Sequence, residues 1–438
     1  MYMATSEAFL AIYASWKDTI RTKLFPILQA QYQPLERNLF PITLTPADND
    51  KYLSKCQNLY AAAIQPGIDQ VLEVGFNGGF SALLFLLADP TIVVTIVDQG
   101  DQPYVKPCFA YLKDTFGDRV SLFLGNSNCV IPDLETQYDL VHIAGNPALL
   151  ERDLVHARMA AKDTCIFIMN DVDLPARLAM WKRYVGYYKL TDVPFVVPCP
   201  YHAVKQYTRC RHLAYYSGFF GSESHVVARI PALPSRYHDC YYFTNNRALY
   251  DRLRNTGWYR VFLPNVPIKN DDFLDAMDGR VLQACPHRFP VLNGYQSTCW
   301  MATTVAVNED RVFAMVQQLL VSALMFMMPQ HPTVQRMIMQ QYQETIGKPA
   351  YAPQSNQYMT YIQGQLQTGK SNAVPTHYTT DVILRKNDPA AHAVSDTWLE
   401  HTQMSGGSDP RISLFFAQQQ HPNTMKAFTY SNSYMVSK

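Results

Sequence analysis

The stretch that decides the fold is Val71-Leu-Glu-Val-Gly-Phe-Asn-Gly-Gly-Phe80, followed by Ile92-Val-Val-Thr-Ile-Val-Asp98. Val71 to Val74 is a short apolar run, as a strand buried on both faces requires. It carries one acid, Glu73, and runs into Gly75, Asn77, Gly78 and Gly79. Glycines at that point let the chain turn tightly and let a ligand approach the backbone. Phe80 to Leu87 then reads as a buried helix whose N-terminus faces the ligand. The second apolar run stops at Asp98. An acid at the end of the second strand, about 20 residues past the turn, is placed to accept hydrogen bonds from ribose hydroxyls. The other reading is a strand, turn and helix of the same shape that binds nothing.

Beyond this unit, strand and helix patterns alternate with short connections. Lys106 to Asp114 reads as a helix and Val120 to Leu124 as a strand ending in Gly125-Asn-Ser127. Tyr138 to Ile143 is a further strand, Leu149 to Ala161 a helix, and Cys165 to Met169 a strand ending in Asn170-Asp171. That order predicts an α/β fold with a Rossmann-like, doubly wound parallel sheet, whose ligands sit at the strand C-termini. Upstream, Phe9, Ile12, Tyr13, Trp16 and Ile20 recur at helical spacing, and Lys51 to Ile64 reads as a second helix.

Composition narrows the classes. With 438 residues, 48% hydrophobic and 17% charged, the chain has ample core and length for two or three domains. A net charge of +1 gives no electrostatic case for nucleic acid or an anionic membrane. Nine scattered cysteines without a C-x-x-C favour reduced thiols over a disulfide framework or zinc site, and the chain is read as cytoplasmic. Glu7, Lys17 and Asp18 argue against a signal peptide. The longest apolar tract, Val312 to Met328, contains Gln317, Gln318 and Ser322 and is read as a core helix, not a membrane span.

The order E-x-G-x-x-G-G, with the acid inside the strand, resembles motif I of class I S-adenosylmethionine (SAM) methyltransferases. With Tyr111 to Phe116, Gly125-Asn-Ser127 and Tyr138 to Ile143, residues 65–190 resemble a small methyltransferase family of bacterial and giant-virus glycan gene clusters. The resemblance implies that Glu73, Gly75 and Asp98 hold SAM, that the turn Asn77, Gly78 and Gly79 packs on its amino-acid part, and that Asn126 and Ser127 lie near the adenine. Where that family tends to read H-I-D-G-G-H, this chain reads His142-Ile-Ala-Gly-Asn-Pro147. The missing acid leaves Asn170 and Asp171, few ligands for a hard cation, which speaks against metal-assisted transfer. His142 is read either as a general base or as a core histidine. Asp171 is read either as an active-site acid or, with Asp173, as an N-cap ahead of Pro175.

Prolines at 194, 198 and 200 suggest a linker over residues 196–230. The expected division is a helical region at 1–65, a methyltransferase domain at 66–195, and a second domain at 231–438. Asp239 to Asn245, Gly257-Trp258, Pro286-His287, His331-Pro332, Val382 to Arg385 and Ser408-Asp409 to Phe415 resemble a glycosyltransferase-like family of plants, bacteria and large viruses with a GT-A-type fold. That resemblance implies a nucleotide sugar and a divalent cation in the second half. Yet Cys299 to Thr304 has no acid, Gln283 stands where the family tends to place lysine, and Pro410 follows Asp409, the one candidate catalytic base there. The leading expectation is a SAM-dependent O-methyltransferase acting on a sugar hydroxyl of a glycan, fused to a glycosyltransferase-like domain. The alternative is a non-catalytic glycan-binding or scaffold protein.

Overall fold

The structure is a computed structural model. It describes residues 7–31, 46–222, 230–269, 271–310, 312, 315–316, 321, 323–329, 336–347, 349–374, 378–407, 410–427 and 435–437. Asp409 and the His331-Pro332 pair lie outside the described residues. The chain forms two compact units, residues 1–209 and 210–438.

In the first unit, α1 (Glu7–Thr19) continues through a π-helical turn, Ile20–Leu24, into α2 (Phe25–Gln31). Phe9, Tyr13, Trp16, Ile20, Leu24 and Leu28 form one buried stripe, as their spacing requires. After α3 (Pro46–Ala63) come β1 (Gln70–Val74), α4 (Phe80–Ala88), β2 (Val93–Asp98), α5 (Val105–Phe116) and β3 (Val120–Leu124). A short α6 (Ser127–Val130) leads to β4 (Tyr138–Ile143), α7 (Leu150–Ala160), β5 (Ala161–Asn170), α8 (Pro175–Tyr188) and β6 (His202–Thr208). The sheet order is β3-β2-β1-β4-β5-β6. All neighbours are parallel except β6, which runs antiparallel on β5 from Thr164↔Thr208 to Asn170↔His202. This is the expected doubly wound sheet with an antiparallel strand added at one edge.

The supposed linker at 196–230 is a correction. It contributes β6 to the first sheet and β7 (Leu213–Phe219) to the second, and the units divide between Arg209 and Cys210. The prolines punctuate the approach to β6 without continuing into it.

The second unit contains β8 (Asp239–Thr244), β9 (Tyr259–Phe262), β10 (Ser297–Met301) and β11 (Val305–Val307). Later strands are β12 (Met325–Pro329), β13 (Arg336–Met337), β14 (Ala373–Val374), β15 (Tyr378–Lys386), β16 (Met425–Ala427) and β17 (Met435–Ser437). Its main sheet runs β16-β12-β15-β10-β7-β8-β9, with β15 antiparallel to its neighbours. It is thus a second mixed α/β layer. The tract read as a core helix from Val312 to Met328 ends as strand β12, with Met325 and Met327 buried. Among the described residues no helix is long and apolar enough to cross a membrane. All nine cysteines are free.

Candidate active site

The strand order reverses between β1 and β4, the place where open α/β sheets leave a crevice at their C-terminal edge. A cavity of about 620 Å³ opens there, bounded by the ends of β1, β2, β4 and β5. Its size falls within the ~300–1,000 Å³ of small-molecule sites.

Gly75 makes the first turn, at φ +92°. A Cβ on it would lie 2.7 Å from the Gly145 backbone and 2.8 Å from the Ala144 carbonyl carbon. The β1 and β4 turns therefore meet backbone to backbone, which only glycine permits. Asn77 follows at φ +51°, held by a hydrogen bond that Tyr104 Oη donates to its Oδ1 at 2.6 Å. Gly79, at φ +79°, is the N-cap of α4 and supplies no side-chain cap. The first turn of α4, with Phe80 and Ser81, borders the cavity. Its unsatisfied amides and positive dipole end suit a carboxylate.

Asp98 closes this side. Its Oδ2 accepts from Phe76 N at 2.7 Å and Asn77 N at 3.3 Å, and its Oδ1 from Gly100 N at 2.7 Å. The acid ties the β1 turn to the end of β2 and still borders the cavity. A carboxylate has about four acceptor sites, so these three bonds leave room for a ligand hydroxyl.

Glu73 is placed differently from expectation. It is fully buried and does not border the cavity. It pairs in register with His142 across the β1–β4 ladder, and its Oε1 contacts His142 Nδ1 at 3.1 Å and accepts from Ser81 Oγ. It is placed behind His142 and away from the cavity lining. In the tautomer whose Nδ1 donates to Glu73 Oε1, the lone pair is on Nε2. His142 Nε2 has no hydrogen-bond partner, and His142 borders the cavity. The residue is 1% exposed and packs edge-on against Phe85, so it is at once a core residue and a site residue.

Two further basic groups lie beside it. Lys55, on α3, borders the cavity; burial lowers its pKa below the usual lysine range, against the charges of Asp171, Cys56, Cys199 and Glu73. His202, on β6, contacts the Asn58 amide at 2.9 Å, and burial, then the charges of Lys55 and His142, hold its pKa well down.

The far wall is built on Arg177. Its Nη2 donates to Gly145 O at 2.6 Å, and its Nη1 lies 3.6 Å from Asp171 Oδ2. Asp171 adopts φ +54° at the end of β5 and faces the cavity. The N-cap of α8 is Leu174, without a side-chain cap, so the capping reading of Asp171 and Asp173 does not hold. Ser127 borders the cavity and donates to Asp153 Oδ1 at 2.5 Å. Burial pushes the Asp153 carboxyl up to about 6, opposed by Ser127 and Arg177. Asn126 is the N-cap of α6, its side chain accepting from Asn128 N, and does not border the cavity.

Of the residues expected to hold a cofactor, Gly75, Asn77, Gly78, Asp98 and Ser127 border the cavity, as do the candidate catalytic groups His142 and Asp171. Glu73, Gly79 and Asn126 shape it from behind. The sequence reading missed Lys55, Tyr104 and Arg177. Each is a single polar residue in a helical or turn segment, with no motif around it.

No family model matches the sequence, and no curated protein matches it. Solved structures with similar folds include an O-methyltransferase of tomaymycin synthesis from Streptomyces achromogenes, in complex with SAM. It is 14% identical, with 46% of this chain and 88% of that chain covered and a TM-score of 0.31. An O-methyltransferase from Bacillus cereus in complex with SAH is 13% identical, with 44% and 97% covered and a TM-score of 0.31. A TDP-rhamnose 3'-O-methyltransferase of calicheamicin biosynthesis is 14% identical, with 44% and 93% covered and a TM-score of 0.30. Likeness at this level says nothing of activity.

Proposed function

We propose that the first unit is a SAM-dependent O-methyltransferase acting on a sugar hydroxyl. One observation carries the reading: at the strand switch point, Asp98, the uncapped N-terminus of α4 and His142, whose buried Nε2 has no hydrogen-bond partner, border one cavity. Asp98 would take the ribose hydroxyls, the Asn77–Gly79 turn and the α4 amides the amino-acid carboxylate, and Ser127 the neighbourhood of the base. SAM, so held, supplies an electrophilic methyl group on a sulfonium. His142 Nε2 accepts the acceptor hydroxyl proton, and Glu73 stabilises the imidazolium that forms. Lys55 and Arg177 place positive charge beside an oxygen becoming anionic. Polar groups at the rim, Asp101, Gln102, Asn146, Asp173 and Tyr201, suit a polyhydroxylated acceptor.

The second unit is proposed as a glycosyltransferase-like domain that takes a nucleotide sugar, with a divalent cation, in cytoplasmic glycan biosynthesis. What supports this is the order of its motifs and a second open α/β sheet that reverses between β7 and β10. A second reading, a non-catalytic glycan scaffold, is favoured by Ala144 and Pro147 and by the three backbone bonds that already engage Asp98.

Calorimetric titration of the full chain with SAM and with S-adenosylhomocysteine separates the two. We expect micromolar binding that Asp98→Asn weakens, followed by methylation of a sugar panel read by mass spectrometry. Asn keeps one acceptor oxygen for the turn, so the variant tests the ligand with less damage to the loop than Asp98→Ala. No binding to the wild-type chain refutes the methyltransferase reading and leaves the scaffold.

A further inference from the structure

We propose that the second unit binds a zinc ion through Cys285 Sγ, His287 Nε2 and Asp396 Oδ1. Cys285 and His287 flank Pro286 just after the helix Asp272–Ala284, and Asp396 lies on the helix Pro389–Met404. The three ligand atoms all lie within 4.8 Å of one another.

Two features point to an ion there. The first is spacing. Cys285 Sγ lies 3.5 Å and His287 Nε2 3.2 Å from Asp396 Oδ1. Tetrahedral zinc with bonds of ~2.3 Å to sulfur, ~2.05 Å to nitrogen and ~2.1 Å to oxygen puts its ligands at about 3.6 Å for S···O and about 3.4 Å for N···O. The side chains thus stand near the edges of a coordination tetrahedron.

The second is an excess of donors. Cys285 Sγ, which also reaches Ser395 O at 3.4 Å, His287 Nε2 and Arg288 Nη2, the last at 2.7 Å, all crowd Asp396 Oδ1. One carboxylate oxygen offers about two lone-pair sites. A cation between the thiolate, the imidazole and Oδ1 replaces two of these contacts with coordination, while Arg288, half exposed, keeps its contact with the same carboxylate. On binding, the thiol proton goes to solvent. The ring of His392, one helical turn before Asp396, stacks on His287 at 4.3 Å between centroids and fixes its orientation.

The donor set selects the metal. Thiolate and imidazole with one carboxylate suit zinc, whereas magnesium and calcium want oxygens only. Three protein ligands leave a fourth position for water. The proposal does not depend on the reading of the first unit.

The test is a titration of the chelator-stripped full chain with Co²⁺, followed by displacement with Zn²⁺. We expect one equivalent to bind with a thiolate-to-cobalt charge-transfer band, and Cys285→Ser to lose that band. Asp396→Ala, at a half-exposed carboxylate where the fold tolerates change, is expected to weaken binding by about 100-fold. If Cys285→Ser does not fold, the Asp396→Ala affinity decides alone. No binding by the wild-type chain, or a band and affinity unchanged in the variants, overturns the proposal.

Discussion

Replacing Gly75 by alanine tests the central claim about the site, that the β1 and β4 turns touch through their backbones. Two costs add. At φ +92° an L-residue is strained, by about 1–2 kcal/mol. The new methyl would also stand 2.7 Å from Gly145 Cα and N. Those are backbone atoms, so no rotamer change relieves the clash, and overpacking of this kind costs about 1–3 kcal/mol. The sum is about 2–5 kcal/mol, a large part of an ordinary stability of ~5–15 kcal/mol. Gly117→Ala is the control. It has a positive φ of +62° with nothing within 4 Å of the added methyl, so only the strain remains. Calorimetric melting of the full chain should lower the first-unit transition by about 4–20 °C in Gly75→Ala, at ~2–4 °C per kcal/mol for a unit of this size. Separation of the turns should also weaken SAM binding. A loss in Gly75→Ala no larger than in Gly117→Ala refutes the close approach.

Three further outcomes follow from the same geometry. Asp153, pushed up to about 6, keeps its proton in the native state after the unfolded chain has lost it, so its contribution to stability is present at low pH and is lost as pH rises from about 4 to about 6. That is a loss of about 3 kcal/mol, and Asp153→Asn should be up to about that much more stable at pH 8 but little changed at pH 4; urea midpoints against pH check this, and an equal gain at both refutes it. Asp171→Asn keeps a side chain that tolerates the left-handed backbone and removes only the charge facing Arg177, so methyl transfer should fall while stability changes by less than about 1 kcal/mol; unchanged methyl transfer contradicts a site role for this carboxylate. Glu73→Leu alone should destabilise by about 3–5 kcal/mol by leaving His142 unpaired, while Glu73→Leu with His142→Leu should regain most of it without activity, as a double-mutant cycle would show; a double variant as unstable as the sum of the singles counts against the pairing.

The sequence made the first sheet legible because each strand from β1 to β5 is a bounded apolar run and each connection is short. It failed where local pattern and tertiary context part. His202 to Thr208 has only Val204 and Tyr207 among its apolar positions buried, a weak signal beside three prolines, yet it closes the sheet edge. Met325 to Pro329 is apolar on both faces, a run that fits helix or buried strand equally, and pairing with β15 decides it. In the site, Gly75 and Asp98 were legible because a turn and a strand end fix where they point. Glu73 was not, since only the register opposite His142 shows that it faces inward. Lys55 could not be found by spacing, because a lysine on α3 reads as solvent-facing until α3 is packed.

The distribution of costly features separates fold from site. The sheet needs only apolar side chains between its helices, and most of β1 and β4 supplies them. Yet the chain places an acid and a histidine side by side at the centre of this ladder, both under 2% exposed. Glu73 Oε2 has no partner, and neither does His142 Nε2. Each unsatisfied buried atom costs about 1–3 kcal/mol, and two branched apolar residues would remove both penalties. Asp171 adds a strained backbone, and Lys55 adds a buried amine. His142, Lys55 and Asp171 border one cavity at the strand switch point, with Glu73 directly behind His142; the sheet carries further buried polar atoms without a partner at Asn170 Oδ1 and His202 Nδ1. Buried polar groups and a strained backbone of this kind are what the proposed binding and proton transfer would account for, since an apolar pair would serve the sheet alone at lower cost.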